Sequence, residues 1–242
     1  MNITQAVESK IKALPTGQVF DYGDLPEYGR APDAVVKAVN RLVADGMVTR
    51  LLKGKFYVPK QGVLGPRKPS DNELIRAMLY KNGRLRGYVT GIALFNRLGL
   101  TTQIPRTVTL ALTNGGRQTK DFGTIRVKTI SARYPVSEQD VKLLQYLDVL
   151  QDIKTIPDAD INQSLKAMQR YFSELTDQDR KRLVEMADAG YGPQVRALIG
   201  LLFAALDEPS TPDLKKSLNP TTTYKLALDP AVWPDMKDWN IH

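Results

Sequence analysis

The sequence contains no cysteine, and its single histidine is His242. These two absences exclude disulfides, thiolate nucleophiles, Ser–His and Cys–His catalysis, and zinc or iron–sulfur sites built from cysteine or several histidines. The phosphate-loop motif and the dinucleotide-binding glycine motif are also missing. We therefore expect a protein that is not an enzyme and that binds no cofactor and no metal.

Long apolar runs are also lacking. The most apolar stretch, Ala197–Leu206, is far shorter than the roughly 20 residues that a membrane-spanning helix needs. Polar residues interrupt the segment Met1–Leu14, so no signal peptide is visible. The 42% of hydrophobic residues in 242 still supply a sizeable core without disulfides. We expect a cytoplasmic protein with no membrane partner.

Acidic residues are scarce in the first half of the chain. Residues 1–135 contain 22 Lys and Arg but 9 Asp and Glu, whereas residues 136–242 contain 12 and 17, and the formal net charge is +8. A cationic region favours a polyanionic partner, because neutralising phosphates releases their counterions. The acidic region indicates a different task for the rest of the chain.

The first sixty residues carry the pattern of three short helices followed by a hairpin. Apolar spacing, together with proline and glycine breakers, predicts helices over about 6–14 and 33–44, a short helix or turn over 21–25, and strands over 47–52 and 56–59. Gly54 lies at the hairpin turn between two lysines. This order predicts a winged helix-turn-helix.

The remainder predicts a second, mixed region. Residues 60–69 form the best candidate linker, and Ser70 with Glu73 has the spacing of a capping box that begins a helix. Alternating strands at Thr107–Thr113 and Thr124–Ser131 are expected to pair antiparallel, and residues 137–206 predict four helices. The tail contains two tryptophans, so we expect an arm docked on the body or on a partner rather than a disordered segment.

We therefore predict an α+β protein with an N-terminal winged helix-turn-helix, a middle α/β unit with an antiparallel strand pair, and a helical C-terminal region with a Pro- and Trp-containing tail. The predicted domains are a DNA-binding domain over 1–66 and an interaction domain over 67–242, the latter divided into 67–135 (mixed α/β), 136–207 (helical) and 208–242 (arm).

The predicted third helix has an apolar face and a polar face. At 100° per residue, Val35, Val39 and Leu42 share the apolar side, and the polar side faces outward. In a helix-turn-helix such an outward face enters the major groove, where Asn reads adenine and Arg or Lys reads guanine. The candidate DNA-binding residues on this helix, before it and on the hairpin are Arg30, Lys37, Asn40, Arg41, Arg50, Lys53 and Lys55.

Two further groups of charged residues admit more than one interpretation. Scattered basic residues follow the hairpin and either extend a nucleic-acid surface or meet an acidic protein: Arg84, Arg86, Arg97, Arg106, Arg117, Lys120, Arg126, Lys128 and Arg133. The acidic pairs Asp158–Asp160 and Asp177–Asp179 have the chemistry of a magnesium site, but their positions before helices favour capping.

Two segments in the middle of the chain carry a family resemblance. They are Tyr88-Val89-Thr90-Gly91 and Leu98-Gly99-Leu100-Thr101-Thr102-Gln103-x-Pro105, and the strand ending at Leu112-Thr113-Asn114 follows them. With the N-terminal pattern, residues 1–135 resemble the AbiEi-like antitoxins, transcriptional regulators of type IV abortive-infection toxin–antitoxin systems in phage defence. The resemblance implies a winged helix that binds and represses its own promoter, and a second domain that neutralises a nucleotidyltransferase toxin.

Two functions from other classes stay open at this stage. In one, the protein is a non-catalytic adaptor that uses the winged helix as a docking module for a protein. In the other, it is a nucleic-acid enzyme with an unfamiliar acidic site. The leading hypothesis is a DNA-binding autoregulator and antitoxin whose partners are double-stranded DNA and a nucleotidyltransferase-type toxin.

Overall fold

The computed structural model describes residues 2–62, 65–206 and 212–242. The chain divides into two units, Met1–Arg86 and Gly87–His242. This division lies C-terminal to the boundary after residue 66 that we predicted. Helices and antiparallel strand pairs occur in both units, which confirms the α+β class. No helix in the described part of the chain is both long and apolar enough to cross a membrane.

The first unit alternates short helices with short strands. Its described elements are α1 (Ile3–Lys12), β1 (Val19–Asp21), 3₁₀ turns at Tyr22–Asp24 and Pro26–Gly29, α2 (Pro32–Ala44), β2 (Thr49–Leu52), β3 (Lys55–Tyr57), β4 (Lys60–Gly62), β5 (Gly65–Arg67), α3 (Asp71–Leu79), β6 (Tyr80–Lys81) and β7 (Arg84–Leu85). The predicted first and third helices and the hairpin are confirmed. The segment predicted as a short helix or turn contains the first of the two 3₁₀ turns.

Strands β1, β3 and β2 form an antiparallel sheet in that order. Phe20 of β1 lies opposite Phe56 of β3, and these two buried rings belong to the same core as the apolar faces of α1 and α2. Val19 and Tyr57 occupy the opposite face, where they pack with Ala77 of α3. The sheet is therefore covered by helices on both faces.

Helix α3 belongs to the first unit because its first turns are hydrogen-bonded to strand β1. Ser70 caps the helix by accepting from the Glu73 N–H, as predicted. The Glu73 carboxylate does not complete the capping box but accepts from the Val19 N–H at 2.7 Å. Arg76 donates to the Val19 carbonyl at 2.8 Å and to the same carboxylate. These contacts explain why the chain divides after residue 86 rather than after residue 66.

The predicted linker, residues 60–69, is a two-stranded ribbon in its described part. Strands β4 and β5 pair antiparallel, with Lys60 opposite Arg67 and Gly62 opposite Gly65. The linker prediction was wrong here because glycine and proline also occur at the ends of tight hairpins. Val63 and Leu64, in the middle of the predicted segment, lie outside the described residues.

The second unit places a mixed sheet beside a helical layer. Its described elements are β8 (Gly87–Thr90), α4 (Ile92–Arg97), β9 (Thr107–Leu112), β10 (Gln118–Asp121), β11 (Arg126–Ser131), α5 (Val141–Gln151), α6 (Ile161–Ser173), α7 (Asp177–Gly190), α8 (Pro193–Ala204), α9 (Pro212–Lys216) and 3₁₀ turns at Ile153–Thr155 and Pro234–Trp239. The four predicted helices of residues 137–206 are confirmed as α5 to α8.

The two strands that we predicted to be antiparallel, β9 and β11, are parallel. The sheet order is β10-β11-β9-β8, so β11 lies between β9 and β10. The prediction was wrong because strand β10, which it missed, reverses the chain between the two, so that β11 runs in the direction of β9. The antiparallel pairs in this sheet are β8 with β9 and β10 with β11.

A buried carboxylate connects the sheet to the helices of the second unit. Asp148 of α5 accepts hydrogen bonds from the Thr90 hydroxyl at 2.7 Å and the Tyr191 hydroxyl at 2.8 Å. Burial raises the pKa of Asp148 above its ordinary value, and these hydrogen bonds and the Arg133 guanidinium oppose that shift. The group joins the end of β8 to α5 and the end of α7.

The tryptophan-bearing tail docks on the body of the second unit. Trp233, Met236 and Trp239 are buried in the same core as helices α5 to α8. The last residues are bound by main-chain hydrogen bonds, in which the His242 N–H donates to the Tyr224 carbonyl and the Leu226 N–H to the His242 carbonyl. The expectation of a docked arm is therefore confirmed in its first alternative, docking on the body.

Gly200 makes the docking possible because a side chain there has no room. A Cβ at Gly200 would lie 2.1 Å from the ring of Trp239. Gly200→Ala is expected to lower the free energy of unfolding by about 1–3 kcal/mol, although alanine favours helix, because a packed ring must move. Urea unfolding followed by tryptophan fluorescence measures this change.

Gly192, at the start of the same helix, is the matched control. A Cβ there meets nothing within 4 Å, and its φ is −71°. We expect Gly192→Ala to have a much smaller effect. Equal stability of the wild type and Gly200→Ala would contradict the close packing of the arm on α8.

Candidate nucleic-acid interface

Helix α2 exposes one face because the other is buried in the core of the first unit. Pro32 occupies its first turn, where a missing N–H costs nothing. Val35, Val39 and Leu42 are buried, as the periodicity predicted. The helix ends at Ala44, and the φ of +72° at Gly46 permits the Met47 N–H to donate back to the Leu42 carbonyl.

The predicted base-reading residues all lie on the exposed face of α2. Lys37, Asn40 and Arg41 are exposed. Arg41 is 4.0 Å from Asp45, and its side chain is 76% exposed, so this ion pair contributes little. Lys37 forms no ion pair with any residue that the structure describes. Asp33, at the start of the helix, is the other exposed carboxylate on this element.

The structure joins two candidates that the sequence placed on separate elements. Arg50 of β2 donates to the Asn40 side-chain oxygen at 2.9 Å. Arg50 lies opposite Phe56 in the sheet, and its guanidinium is 5.5 Å from the centre of that ring. Cross-strand partners share a face, so Arg50 emerges on the α2 side of the sheet. No spacing rule in the sequence indicated this contact.

Lys55 lies on the other side of the sheet from Arg50. It shares a face with Tyr57, two residues along the strand, and it lies opposite Asp21. Its ammonium is 3.2 Å from the Asp21 carboxylate and 3.1 Å from the Tyr80 carbonyl, and the side chain is 18% exposed. Lys55 therefore stabilises the fold in this structure, and its predicted place in the DNA-binding set is not supported by its position.

The remaining two candidates are surface residues. Arg30 is exposed at the end of the second 3₁₀ turn, and Lys53 is exposed beside Gly54 at the hairpin tip, where φ is +74°. In the scattered basic set, Arg126 pairs with Asp121 at 3.0 Å and Arg133 approaches Asp148 at 3.9 Å. The exposed cations on or near α2 and the hairpin are thus Arg30, Lys37, Arg41, Arg50 and Lys53.

One residue of each acidic pair caps a helix. The Asp179 carboxylate accepts from the Thr176 N–H, while the Thr176 hydroxyl accepts from the Asp179 N–H, which completes a capping box. Asp160 caps α6 by accepting from the Gln163 N–H. Asp158 accepts from the Gln103 side chain, and Asp177 pairs with Arg180. The capping interpretation is confirmed for Asp160 and Asp179, whereas Asp158 binds a side chain and Asp177 lies in the first turn of α7.

One protein family matches most of the chain. Residues 6–183 match a family described as "Family of unknown function (DUF6088)". The chain belongs to the DUF6088 family. No curated protein matches it. Among solved structures, the crystal structure of the RV2827C protein from Mycobacterium tuberculosis is similar, with 15% identity over 92% of this chain and 84% of that chain and a TM-score of 0.48.

The ion pair between Asp21 and Lys55 can be tested by substitution. Lys55→Ala leaves a nearly buried carboxylate without its cation, so we expect the first unit to lose about 1–3 kcal/mol of stability. Faster hydrogen–deuterium exchange at the amides of β1 and β3 measures the loss. Lys53→Ala, two residues away at the exposed tip, is the control and is expected to change stability by less than about 0.5 kcal/mol. Equal exchange in both variants would contradict the inward position of Lys55.

Proposed function

We propose that the first unit is a winged helix-turn-helix that binds double-stranded DNA through the exposed face of α2. The single observation that carries the proposal is that Lys37, Asn40 and Arg41 occupy one exposed face of a helix whose other face is buried. In this reading α2 is the recognition helix, and the β2–β3 hairpin is the wing. The exposed Lys53 at its tip is then placed to contact phosphate or a minor groove.

The donor and acceptor chemistry of this face suits the major groove. An asparagine amide pairs with the N6 and N7 atoms of adenine, and arginine or lysine pairs with the O6 and N7 atoms of guanine. Arg50 fixes the orientation of Asn40 through its hydrogen bond, and the carbonyl oxygen of Asn40 keeps a second lone pair for a base. Arg50 is thus a positioning residue for Asn40 in this proposal.

We further propose that the protein represses its own promoter in the cytoplasm and is the antitoxin of a nucleotidyltransferase toxin. The support is the resemblance of residues 1–135 to AbiEi-like antitoxins, and the change from an excess of basic residues over 1–135 to an excess of acidic residues over 136–242. The protein binds and does not catalyse in this proposal. Co-expression with a nucleotidyltransferase encoded beside this gene tests it, with restored growth and a copurifying complex as the expected result.

DNA binding is tested by fluorescence anisotropy with the duplex upstream of the gene and a scrambled duplex, at two salt concentrations. We expect preferential binding that weakens steeply with salt, because phosphate contacts release counterions. Lys37→Ala/Arg41→Ala is expected to weaken specific binding about 30-fold or more, because it removes two base contacts that each contribute about 1–3 kcal/mol.

Lys154→Ala/Lys166→Ala removes the same charge from exposed positions of the second unit and is the matched control. It is expected to keep the preference for the upstream duplex. Equal weak binding of both duplexes by the wild type would contradict the proposal. Capture of a protein partner that survives Lys37→Ala/Arg41→Ala would favour the adaptor function instead.

A further inference from the structure

A cationic cavity of about 450 Å³ opens on the surface of the first unit. It lies between the loop from α1 to β1, the β4–β5 ribbon and the first turns of α3. Its volume is within the range of small-ligand sites. Four cationic side chains line it, Lys60, Arg67, Lys68 and Arg76, with one carboxylate, Glu73. None of the residues of the proposed DNA-reading face belongs to its lining.

The two cations on the ribbon face each other. Lys60 lies directly opposite Arg67, so both side chains share one side of the antiparallel pair. Neither side chain forms an ion pair or hydrogen bond with another described residue. A Cβ at Gly62 would lie 2.9 Å from the Arg67 Nε, so this glycine leaves the space that the Arg67 side chain crosses. Like charges placed opposite one another destabilise a ribbon unless an anion compensates them.

The single carboxylate in the lining does not provide that compensation. Glu73 Oε1 accepts from the Val19 N–H and from Arg76, and its Oε2 accepts from the Arg76 Nε at 2.8 Å. The Arg76 guanidinium and the Val19 N–H lower the pKa of Glu73 against the opposing effect of burial, so this carboxylate stays ionised and engaged with α3 and β1. The cations on the ribbon are left facing the cavity.

Neutral donors are also present in the lining. The Ser70 hydroxyl accepts from the Glu73 N–H, which leaves its own hydrogen for a ligand. Thr16 and Gln18 bring a second hydroxyl and an amide from the loop between α1 and β1. Two opposed cations with hydroxyl and amide donors match the chemistry of a phosphate group, and the one carboxylate in the lining is already paired with Arg76.

We propose that this cavity binds a phosphate group, with Lys60 and Arg67 as its principal cationic contacts. The phosphate comes either from a free phosphorylated small molecule or from the backbone of nucleic acid. The site is separate from the DNA-reading face of α2 and does not require that face to bind DNA.

The first unit contains its own control for charge without a cavity. Lys81 of β6 lies directly opposite Arg84 of β7, and both are exposed. This pair has the same charges on the same kind of antiparallel ribbon but does not line the cavity. Lys81→Ala/Arg84→Ala therefore removes as much charge as Lys60→Ala/Arg67→Ala and leaves the proposed site intact.

The first arm of the test titrates the full chain with inorganic pyrophosphate at low salt, using calorimetry and amide NMR. We expect saturable binding of pyrophosphate by the wild type, with changes in the amide chemical shifts of Gln18 and Ser70. The affinity is expected to be at least 10-fold lower in Lys60→Ala/Arg67→Ala. In Lys81→Ala/Arg84→Ala it is expected to stay within twofold of the wild-type value. The second arm measures DNA affinity against salt for the same variants. If the phosphate belongs to the backbone of DNA, the slope of log affinity against log salt concentration becomes smaller in magnitude by about two in Lys60→Ala/Arg67→Ala alone.

Selective loss in either arm supports the site, and the arm that responds identifies the source of the phosphate. The proposed site is overturned if Lys60→Ala/Arg67→Ala keeps the wild-type pyrophosphate affinity and salt slope. It is also overturned if the two double variants lose binding equally. Circular dichroism of each variant verifies the fold, and Lys60→Gln/Arg67→Gln repeats the test with longer polar side chains. If the wild type binds no DNA but Lys60→Ala/Arg67→Ala selectively loses pyrophosphate binding, the proposed DNA-binding function is refuted while the phosphate site is supported.

Discussion

The first unit depends on the one-sided burial of helix α2. Its apolar residues pack in a core with Phe20 and Phe56, and each fully buried side chain of this size contributes roughly 1.5–3 kcal/mol. Rotating α2 about its axis would expose these side chains and cost much of that free energy. This fixes which residues remain in water, namely Lys37, Asn40 and Arg41. The same core holds the sheet against α2, so the position of the hairpin follows from it.

The register of the sheet then distributes the basic residues of the hairpin. Arg50 lies opposite Phe56 and emerges beside α2, where it binds Asn40. Lys55 lies opposite Asp21 on the other face, where it also donates to the Tyr80 carbonyl of β6. Two cations five residues apart thus have different tasks, one at the proposed DNA surface and one inside the fold. The ribbon β4–β5 presents a third basic group, at a separate cavity.

Local patterns predicted what local forces determine. Helices α2 and α5 to α8, the hairpin and the caps of α6 and α7 follow from periodicity, glycine and capping residues. The linker prediction failed on a local ambiguity between loop and hairpin, and two others depend on how separate elements pair. The direction of β11 depends on the unrecognised strand β10, and the role of Lys55 depends on Asp21. The contact between Asn40 and Arg50 likewise requires the strand register, which a single sequence does not specify.

The most direct test of the central claim is photo-cross-linking from the exposed face of α2 to duplex DNA. A photoreactive amino acid at position 37 is compared with the same residue at the exposed position 10 of α1, using the upstream duplex. We expect a DNA adduct at position 37 that unlabelled upstream duplex suppresses more than scrambled duplex, and little adduct at position 10. Equal adducts at both positions, or none at position 37, would contradict it.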